Sequence, residues 1–458
     1  MESQAVLGKL SSGGSAANRH AECTDCHNPH RVTKNRLFND DPILPDLAGT
    51  HKHVIASGDI APHNNLASGT LRGTFGVEPH YLSAEFGTHP YSYTVKRGDG
   101  GNNASSTVYD TYVTREYQVC FKCHSNYAFD DSIPTYLPLG YSGGTLTGTN
   151  GLLYYSDIAM EFQAPSAHKG TPASTTDSGA SLSYTANNYR SWHPVMDNTG
   201  RTNTLPGIAN PNTLRSPWNG SNIDGPAAPT LINAVGNQTM YCSDCHGSST
   251  NLVDGVVPVG GEDGNSWGPH GSNENFILKG TWNTGTSHTI GSNNLCFRCH
   301  DEKQYAEASA IPASSLNSGF GGAGVDAWGQ PTNNLHQRHA FYTTQGGVAF
   351  PPTTWPATEN GTYRCTMCHT GTAHGWKNKA FLANLNDLGP EVTATGGEIA
   401  PGGSILSLGQ TVPKGSQAPA ISIPAGYSNG PYYRGTLLRI NTFDPSGSWT
   451  KASCTGCH

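Results

Sequence analysis

The sequence lacks long apolar runs and is poor in charged residues. No stretch of about 18 apolar residues occurs, so we expect no membrane-spanning helix. Only 13% of the residues are charged, and the net charge of -7 leaves no basic surface of the kind that binds nucleic acid. The first four residues, Met1 to Gln4, carry neither the basic nor the apolar segment of a signal peptide.

The chain also has little material for an ordinary hydrophobic core. Hydrophobic residues make up 35% of it, whereas 56 Gly and 30 Pro supply many turns. A disordered chain is usually rich in charge and poor in aromatic residues, but this one has 20 Tyr, 13 Phe and 8 Trp. We therefore expect an ordered, loop-rich protein in which something other than side chains supplies part of the apolar mass.

All twelve cysteines fall into six Cys-x-x-Cys-His units, with none left over. The units are Cys23-Thr-Asp-Cys26-His27, Cys120-Phe-Lys-Cys123-His124, Cys242-Ser-Asp-Cys245-His246, Cys296-Phe-Arg-Cys299-His300, Cys365-Thr-Met-Cys368-His369 and Cys454-Thr-Gly-Cys457-His458. Six disulfides would not require this spacing. A thioredoxin-like redox pair or a zinc site would not require a histidine directly after every second cysteine.

The spacing instead predicts covalent attachment of six c-type haems. Two cysteines three positions apart lie on one side of a helical turn, where each can bond a vinyl group of one porphyrin. The next residue then projects toward the iron as its proximal ligand. The predicted proximal ligands are His27, His124, His246, His300, His369 and His458.

The second axial ligands must come from elsewhere in the chain. Only five Met occur and Met367 lies inside a unit, whereas 14 of the 20 His lie outside the units, so we expect bis-histidine ligation. The predicted distal ligands are His20, His30, His193, His270, His339 and His374. Alternatives are His336, His168, His288, His51, His53, His63, His80 and His89, or a ligand from another subunit. His30 is too close to His27 to bind the same iron, so it would serve a neighbouring haem.

The predicted fold class is irregular and loop-rich, with short helices at the haem motifs and a few short β-strands. The units are unevenly spaced, so a repeat of fixed length is not expected. One longer helix is predicted from His374 to about Asn386, and short strands from Ser404 to Leu408 and from Thr436 to Thr442. We expect residues 1–458 to form a single elongated body around a chain of haems.

Several stretches resemble multihaem c-type cytochromes of metal-reducing bacteria. Besides the six units, they are Asp157 to Phe162, Asn188 to Val195, Trp267 to Ser272, Asn334 to His339 and His374 to Leu382. The haem number, chain length and composition resemble the outer-surface hexahaem cytochromes that polymerise into conductive filaments. The resemblance implies a homopolymer that exchanges electrons with other cytochromes and with extracellular acceptors such as metal oxides or electrodes.

The functional prediction is electron transfer without catalysis. Covalent haem attachment normally requires export across the inner membrane, so we expect that a leader has been removed. We also expect the protein outside the cell or at its outer surface, with the periplasm as the alternative. The competing hypothesis is a multihaem reductase of a small nitrogen or sulfur oxyanion, which needs one open iron position. A third is a matrix protein that stores electrons.

Overall fold

The computed structural model describes short segments distributed along the chain. They are residues 21–33, 65–82, 90–101, 107–125, 127, 158–162, 193–196, 239–247, 268–282, 294–306, 336, 344–345, 348–349, 365–371, 373–375, 381, 398–399 and 405–406.

The helices in these segments are one or two turns long. The α-helices are α1 (Cys23–Cys26), α2 (Glu116–Phe121), α3 (Cys242–Cys245) and α4 (Glu302–Tyr305). The 3-10 turns are Gly69–Leu71, Ile158–Glu161, Asn275–Ile277, Leu295–Arg298 and Cys365–Met367. Helices this short are not stable alone, so they depend on packing and on local capping.

The strands form three separate antiparallel pairs. β1 (Gly76–His80) pairs with β2 (Ser92–Lys96), with Gly76 opposite Lys96 and His80 opposite Ser92. β3 (Thr344–Gln345) pairs with β4 (Val348–Ala349). β5 (Glu398–Ile399) pairs with β6 (Ile405–Leu406).

The main apolar cluster joins β1 and α2 to two segments that are distant in sequence. Its buried members are Val77, Tyr117, Phe121, Ala159, Phe162, Val195 and Met196. Tyr81, which follows β1, donates its hydroxyl to the carbonyls of Ala159 at 2.6 Å and Phe162 at 2.8 Å. The cluster therefore fixes the turn Ile158–Glu161 against the helix that carries the second Cys-x-x-Cys-His unit.

The structure differs from the secondary structure predicted from the sequence in two details. The helix predicted from His374 is wrong as a continuous element, because His374 and Gly375 are not helical and Phe381 has a φ of +60°, which an α-helix does not allow. The ring of Phe381 packs against that of His193, with centroids 4.7 Å apart. Ile405–Leu406 is a strand as predicted, but its partner is Glu398–Ile399, and Thr436 to Thr442 lies outside the described residues.

None of the helices described is long and apolar enough to cross a membrane.

Candidate functional site

Five of the six Cys-x-x-Cys-His units adopt the same local turn. In units 23–27, 120–124, 242–246, 296–300 and 365–369 the backbone N–H of the histidine donates to the carbonyl of the first cysteine at 2.8–2.9 Å. This bond closes one helical turn, so both cysteines lie on one side and the histidine follows at its end. Residues 454–458 lie outside the described residues. We number the units one to six in chain order.

In three of the units a nearby side chain accepts a backbone hydrogen bond at the start of the turn. Asp25 and Asp244 each accept a hydrogen bond from the backbone N–H of the residue that precedes the first cysteine, Glu22 at 2.9 Å and Tyr241 at 2.8 Å. In the fourth unit Asn294 caps the turn by accepting from the N–H of Cys296 at 3.0 Å. These bonds satisfy amides or fix the entry of the chain at the helix start, so each turn is encoded within a few residues.

The ten described cysteines form no disulfide with one another. Burial raises the pKa of Cys26 to about 11 and those of Cys245 and Cys368 to about 12. Burial therefore disfavours the thiolate form of these three cysteines, which is the form that takes part in disulfide exchange.

Four motif histidines each face a histidine from a distant part of the chain. The ring centroids are 6.0 Å apart for His27 and His270, 6.0 Å for His246 and His374, 6.4 Å for His300 and His193, and 6.0 Å for His369 and His336. A metal held between two imidazoles, with each nitrogen about 2 Å away, would separate ring centroids by about 6 Å. The four pairs therefore have the spacing that two axial ligands of one iron require.

In four of these rings Nδ1 lies within hydrogen-bond distance of an acceptor oxygen. Nδ1 of His27 faces the carbonyl of Thr70 at 2.7 Å, Nδ1 of His193 that of Ala373 at 2.7 Å, and Nδ1 of His246 that of Phe276 at 2.8 Å. Nδ1 of His374 instead faces a carboxylate oxygen of Glu161 at 2.6 Å. Partners of this kind fix the tautomer and orientation of a metal-ligating imidazole, leaving Nε2 for the metal.

The backbone is distorted where it supplies one of these acceptors. Phe276 and Ile277 have φ values of +62° and +55°, which are uncommon for residues other than glycine. The carbonyl of Phe276 accepts from His246, and the carbonyl of Ile277 accepts from the N–H of Gly247 at 2.7 Å. The two residues with positive φ therefore each accept a hydrogen bond from the third unit or the residue that follows it.

Three of the paired imidazoles, those of His193, His246 and His300, favour the neutral form around pH 7. Burial lowers the pKa of His193 and His246 to about 4 and that of His300 to about 3, with a further decrease from neighbouring histidines. A protonated imidazole cannot bind a metal, so these pKa values match the requirement for iron ligation.

Two pairs of consecutive units contact each other through their first cysteines. The sulfurs of Cys120 and Cys242 lie within 4.8 Å of one another and of a carboxylate oxygen of Glu116. A hydrogen bond between these two thiols raises the pKa of Cys242, and one between Cys296 and Cys365 raises the pKa of Cys296. The second unit is therefore next to the third, and the fourth next to the fifth.

The first unit also lies near the second, and the third unit near the fourth. Burial raises the pKa of Cys26, and the thiols of Cys120 and Cys123 add to the increase, which places the first unit beside the second. Cys245 contributes to the raised pKa of Cys296 after the hydrogen bond and burial, so the third unit lies near the fourth. Units one to five thus follow one another in space in the order of the sequence.

Glu116 links the second and third units. It belongs to α2, and its two carboxylate oxygens accept from the backbone N–H of Ser243 at 2.9 Å and from the Ser243 hydroxyl at 2.6 Å. With Cys120 and Cys242 it forms a group of three possible metal ligands. Because both cysteines belong to Cys-x-x-Cys-His units and the carboxylate is bonded to Ser243, we interpret this group as a structural link.

The predicted distal ligands are distributed as follows. His193, His270 and His374 lie opposite motif histidines, and so does His336, which the sequence placed among the alternatives. His30 is exposed, and its N–H donates to Asn28 Oδ1 at 3.1 Å. His20, His339, Cys454, Cys457 and His458 lie outside the described residues, as do the alternatives His51, His53, His63, His89, His168 and His288.

Sequence reasoning missed two acidic residues of the site. Nothing in the chain marks Glu116 as a link between units, because its partner Ser243 is 127 positions away. Glu161 lies in the stretch Asp157 to Phe162 that carries part of the resemblance, but its contact with His374 spans 213 positions. Comparisons with protein families, curated proteins and solved structures find no match to this chain.

Proposed function

We propose that the chain binds six c-type haems covalently and transfers electrons between them. The observation that carries this proposal is the set of four imidazole pairs, each of which joins a motif histidine to a distant one at 6.0–6.4 Å. A disulfide or zinc framework would give no reason for imidazoles to face each other at this distance.

The types of residue and the spacing of the four imidazole pairs fit haem. The cysteines of each unit would bond the porphyrin, the following histidine would be the proximal ligand, and His270, His374, His193 and His336 would be distal ligands to units one, three, four and five. When bound, each haem iron supplies a one-electron redox couple. The Nδ1 partners of His27, His193, His246 and His374 orient their rings, and bis-histidine ligation favours lower potentials than Met/His ligation.

The contacts between consecutive units support conduction along a continuous series of haems. Cys120 lies beside Cys242 and Cys296 beside Cys365, so haems attached there would be neighbours. Electron transfer needs close redox centres and no bond-making site, and the protein controls their spacing and exposure. This arrangement favours transfer over storage in isolated haems.

The physiological part of the proposal is extracellular, long-range electron transport by a homopolymer. It rests on the resemblance to filament-forming hexahaem cytochromes and on the exposed side chain of His30, which can reach a haem of a neighbouring unit or copy. The partners would be other cytochromes and acceptors such as metal oxides or electrodes, with export as a requirement of covalent haem attachment and the periplasm as the alternative site.

The first experiment counts haems and examines their ligation. The chain is expressed with a cytochrome c maturation system, and intact mass with the pyridine haemochrome assay should give six haems per chain. Electron paramagnetic resonance should show low-spin ferric haem. A mature chain with no haem, or with disulfides in place of thioethers, would overturn the proposal. Imaging the native protein by cryo-electron microscopy tests polymerisation, because discrete particles would reject the filament.

One observation favours the competing reductase function enough to test it. Burial and His374 lower the pKa of His124, and among the residues described no imidazole ring faces His124. An exchangeable iron position would therefore be sought at the second unit. A high-spin signal that nitrite or sulfite converts to low spin, together with turnover of that anion by a reduced dye, would support the reductase. A fully low-spin protein without turnover would reject it.

A further inference from the structure

One carboxylate contacts a histidine of the paired imidazoles. Glu161 is completely buried, and its Oε2 lies 2.6 Å from Nδ1 of His374, which faces His246 of the third unit. The Nδ1 partners described for His27, His193 and His246 are backbone carbonyls, which are neutral. The third unit thus differs from the fourth in the charge of the group behind the distal imidazole.

Packing holds Glu161 in this position. Its turn, Ile158–Glu161, is joined to the second unit because the N–H of Ile158 donates to the carbonyl of His124 at 2.9 Å. Tyr81 donates to the carbonyls of Ala159 and Phe162 on either side of it. The ring of Phe162 also contacts that of His374, with centroids 5.4 Å apart. The carboxylate is therefore oriented by its surroundings before any metal binds.

In the fourth unit no carboxylate is described next to Nδ1 of either paired histidine. Nδ1 of His300 is buried and has no hydrogen-bond partner in the part of the chain that the structure describes, and the facing His193 uses a backbone carbonyl. Neighbouring third and fourth units therefore differ in the acceptor behind their imidazoles: a carbonyl and a carboxylate in the third, a single carbonyl in the fourth.

A carboxylate that accepts a hydrogen bond from Nδ1 of an iron-ligating histidine affects the reduction potential of that iron. A carboxylate accepts more strongly than a carbonyl, and a buried site screens the interaction less than water does. Withdrawal of the Nδ1 proton toward the carboxylate makes Nε2 a more basic ligand. A more basic ligand stabilises the more highly charged, oxidised iron, so the reduction potential falls.

We propose that Glu161 is a positioning residue that holds the Nδ1 proton of His374 and lowers the reduction potential of the haem at the third unit below that of the haem at the fourth. This inference rests on the proposed haem function. It predicts a step in potential between two neighbouring centres, with the third as the weaker oxidant, so that Glu161 biases the direction of transfer between them.

The test is spectropotentiometric titration of the haem-loaded full chain, with haems assigned by exchange spectroscopy in partly oxidised samples. Glu161→Gln removes the charge with little change in shape, and should shift the potential of the third-unit haem upward, close to or above that of the fourth. Glu161→Asp keeps the charge but shortens the reach to Nδ1, and should give a smaller upward shift. The electron paramagnetic resonance signal of the same haem should change in both variants.

The outcomes separate this inference from the broader proposal. Wild-type protein without haem would reject the proposed function itself. Six low-spin haems in Glu161→Gln, with all potentials and resonance signals as in the wild type, would overturn the role of Glu161 alone. Should Glu161→Gln fail to accumulate, Glu161→Asp is the deciding variant, and an unshifted third-unit potential there would also reject the inference.

Discussion

The rings of His336 and His369 lie nearly parallel, 14° apart in plane, with their centroids 6.0 Å from each other. His369 ends the fifth Cys-x-x-Cys-His unit, whereas His336 is one of two histidines three positions apart in the chain. Tyr305 contacts His336 edge-on at 5.0 Å and thereby holds its ring. This relationship makes His336, one of the alternatives considered from the sequence, a candidate distal ligand for the fifth unit.

Replacing His336 and His339 separately distinguishes them. If the chain binds haem as proposed, His336→Ala should leave the haem of the fifth unit without a distal imidazole and convert it to high spin, because the ring opposite His369 is lost. Electron paramagnetic resonance of the oxidised protein measures the change. A matched control is His80→Ala, since Nε2 of His80 faces Thr94 Oγ1 at 2.7 Å and is used there. High-spin haem in His339→Ala but not in His336→Ala would contradict the assignment.

The link between the second and third units should contribute measurably to stability. Glu116 is 8% exposed and Ser243 4% exposed, and both carboxylate oxygens of Glu116 accept from Ser243. Glu116→Ala leaves two buried donors without that acceptor, so we expect a loss of about 2–3 kcal/mol in the free energy of unfolding. Urea denaturation followed by circular dichroism measures it.

Ser243→Ala is the matched control for this link. It removes the hydroxyl donor but keeps the backbone N–H that also donates to Glu116, so its cost should be about 1 kcal/mol. Equal stability of wild type and Glu116→Ala would show that the contact does not hold the two units together.

The buried Glu78 should make stability depend on pH. Burial raises the pKa of Glu78 above its usual 4.5, although hydrogen bonds from Gln118 and Tyr117 oppose this increase. The folded state therefore binds the proton more tightly than the unfolded state, so this stabilisation is complete below pH 4.5 and decreases as pH rises through the folded value. The slope is about 1.4 kcal/mol per pH unit within that window.

Glu78→Gln should remove this contribution to the pH dependence. The variant should gain stability relative to the wild type as pH increases from 4.5, because the amide does not ionise. Urea denaturation of both proteins at several pH values provides the comparison. Parallel pH profiles for the two proteins would mean that Glu78 is not the group responsible.

Gly76 permits the close approach of β1 to α2. A Cβ atom there would lie 2.8 Å from Cγ2 of Val113 and 2.9 Å from the backbone oxygen of Gln118. Because the backbone of α2 cannot rotate away as a side chain can, Gly76→Ala should cost about 1–3 kcal/mol in the free energy of unfolding. Thermal denaturation checks this.

A second glycine separates steric crowding from backbone strain. Gly98 has a φ of +101°, and a Cβ atom added there would have no other atom within 4 Å, so Gly98→Ala tests the strain alone. If Gly76→Ala is as stable as the wild type, the strand does not pack against the helix as closely as described.

The local structure of the units is predictable because its determinants lie within a few residues. A hydrogen bond from each described motif histidine to the first cysteine spans four positions, and Asp25 and Asp244 cap their own turns. The helix predicted from His374 was wrong for the opposite reason. Phe381 packs against the ring of His193 at 4.7 Å from a backbone with a positive φ, and local periodicity cannot distinguish such packing from a helical face.

By itself, the amino-acid sequence determined that the five described Cys-x-x-Cys-His units would form repeated turns, and that other histidines would be needed to face them. Only the tertiary structure decided which histidine faces which unit, that units one to five follow one another in space, and that Glu161 stands behind His374. The reason is physical: a turn depends on bonds between residues four positions apart, whereas the pairing of two imidazoles depends on how segments far apart in the chain pack together.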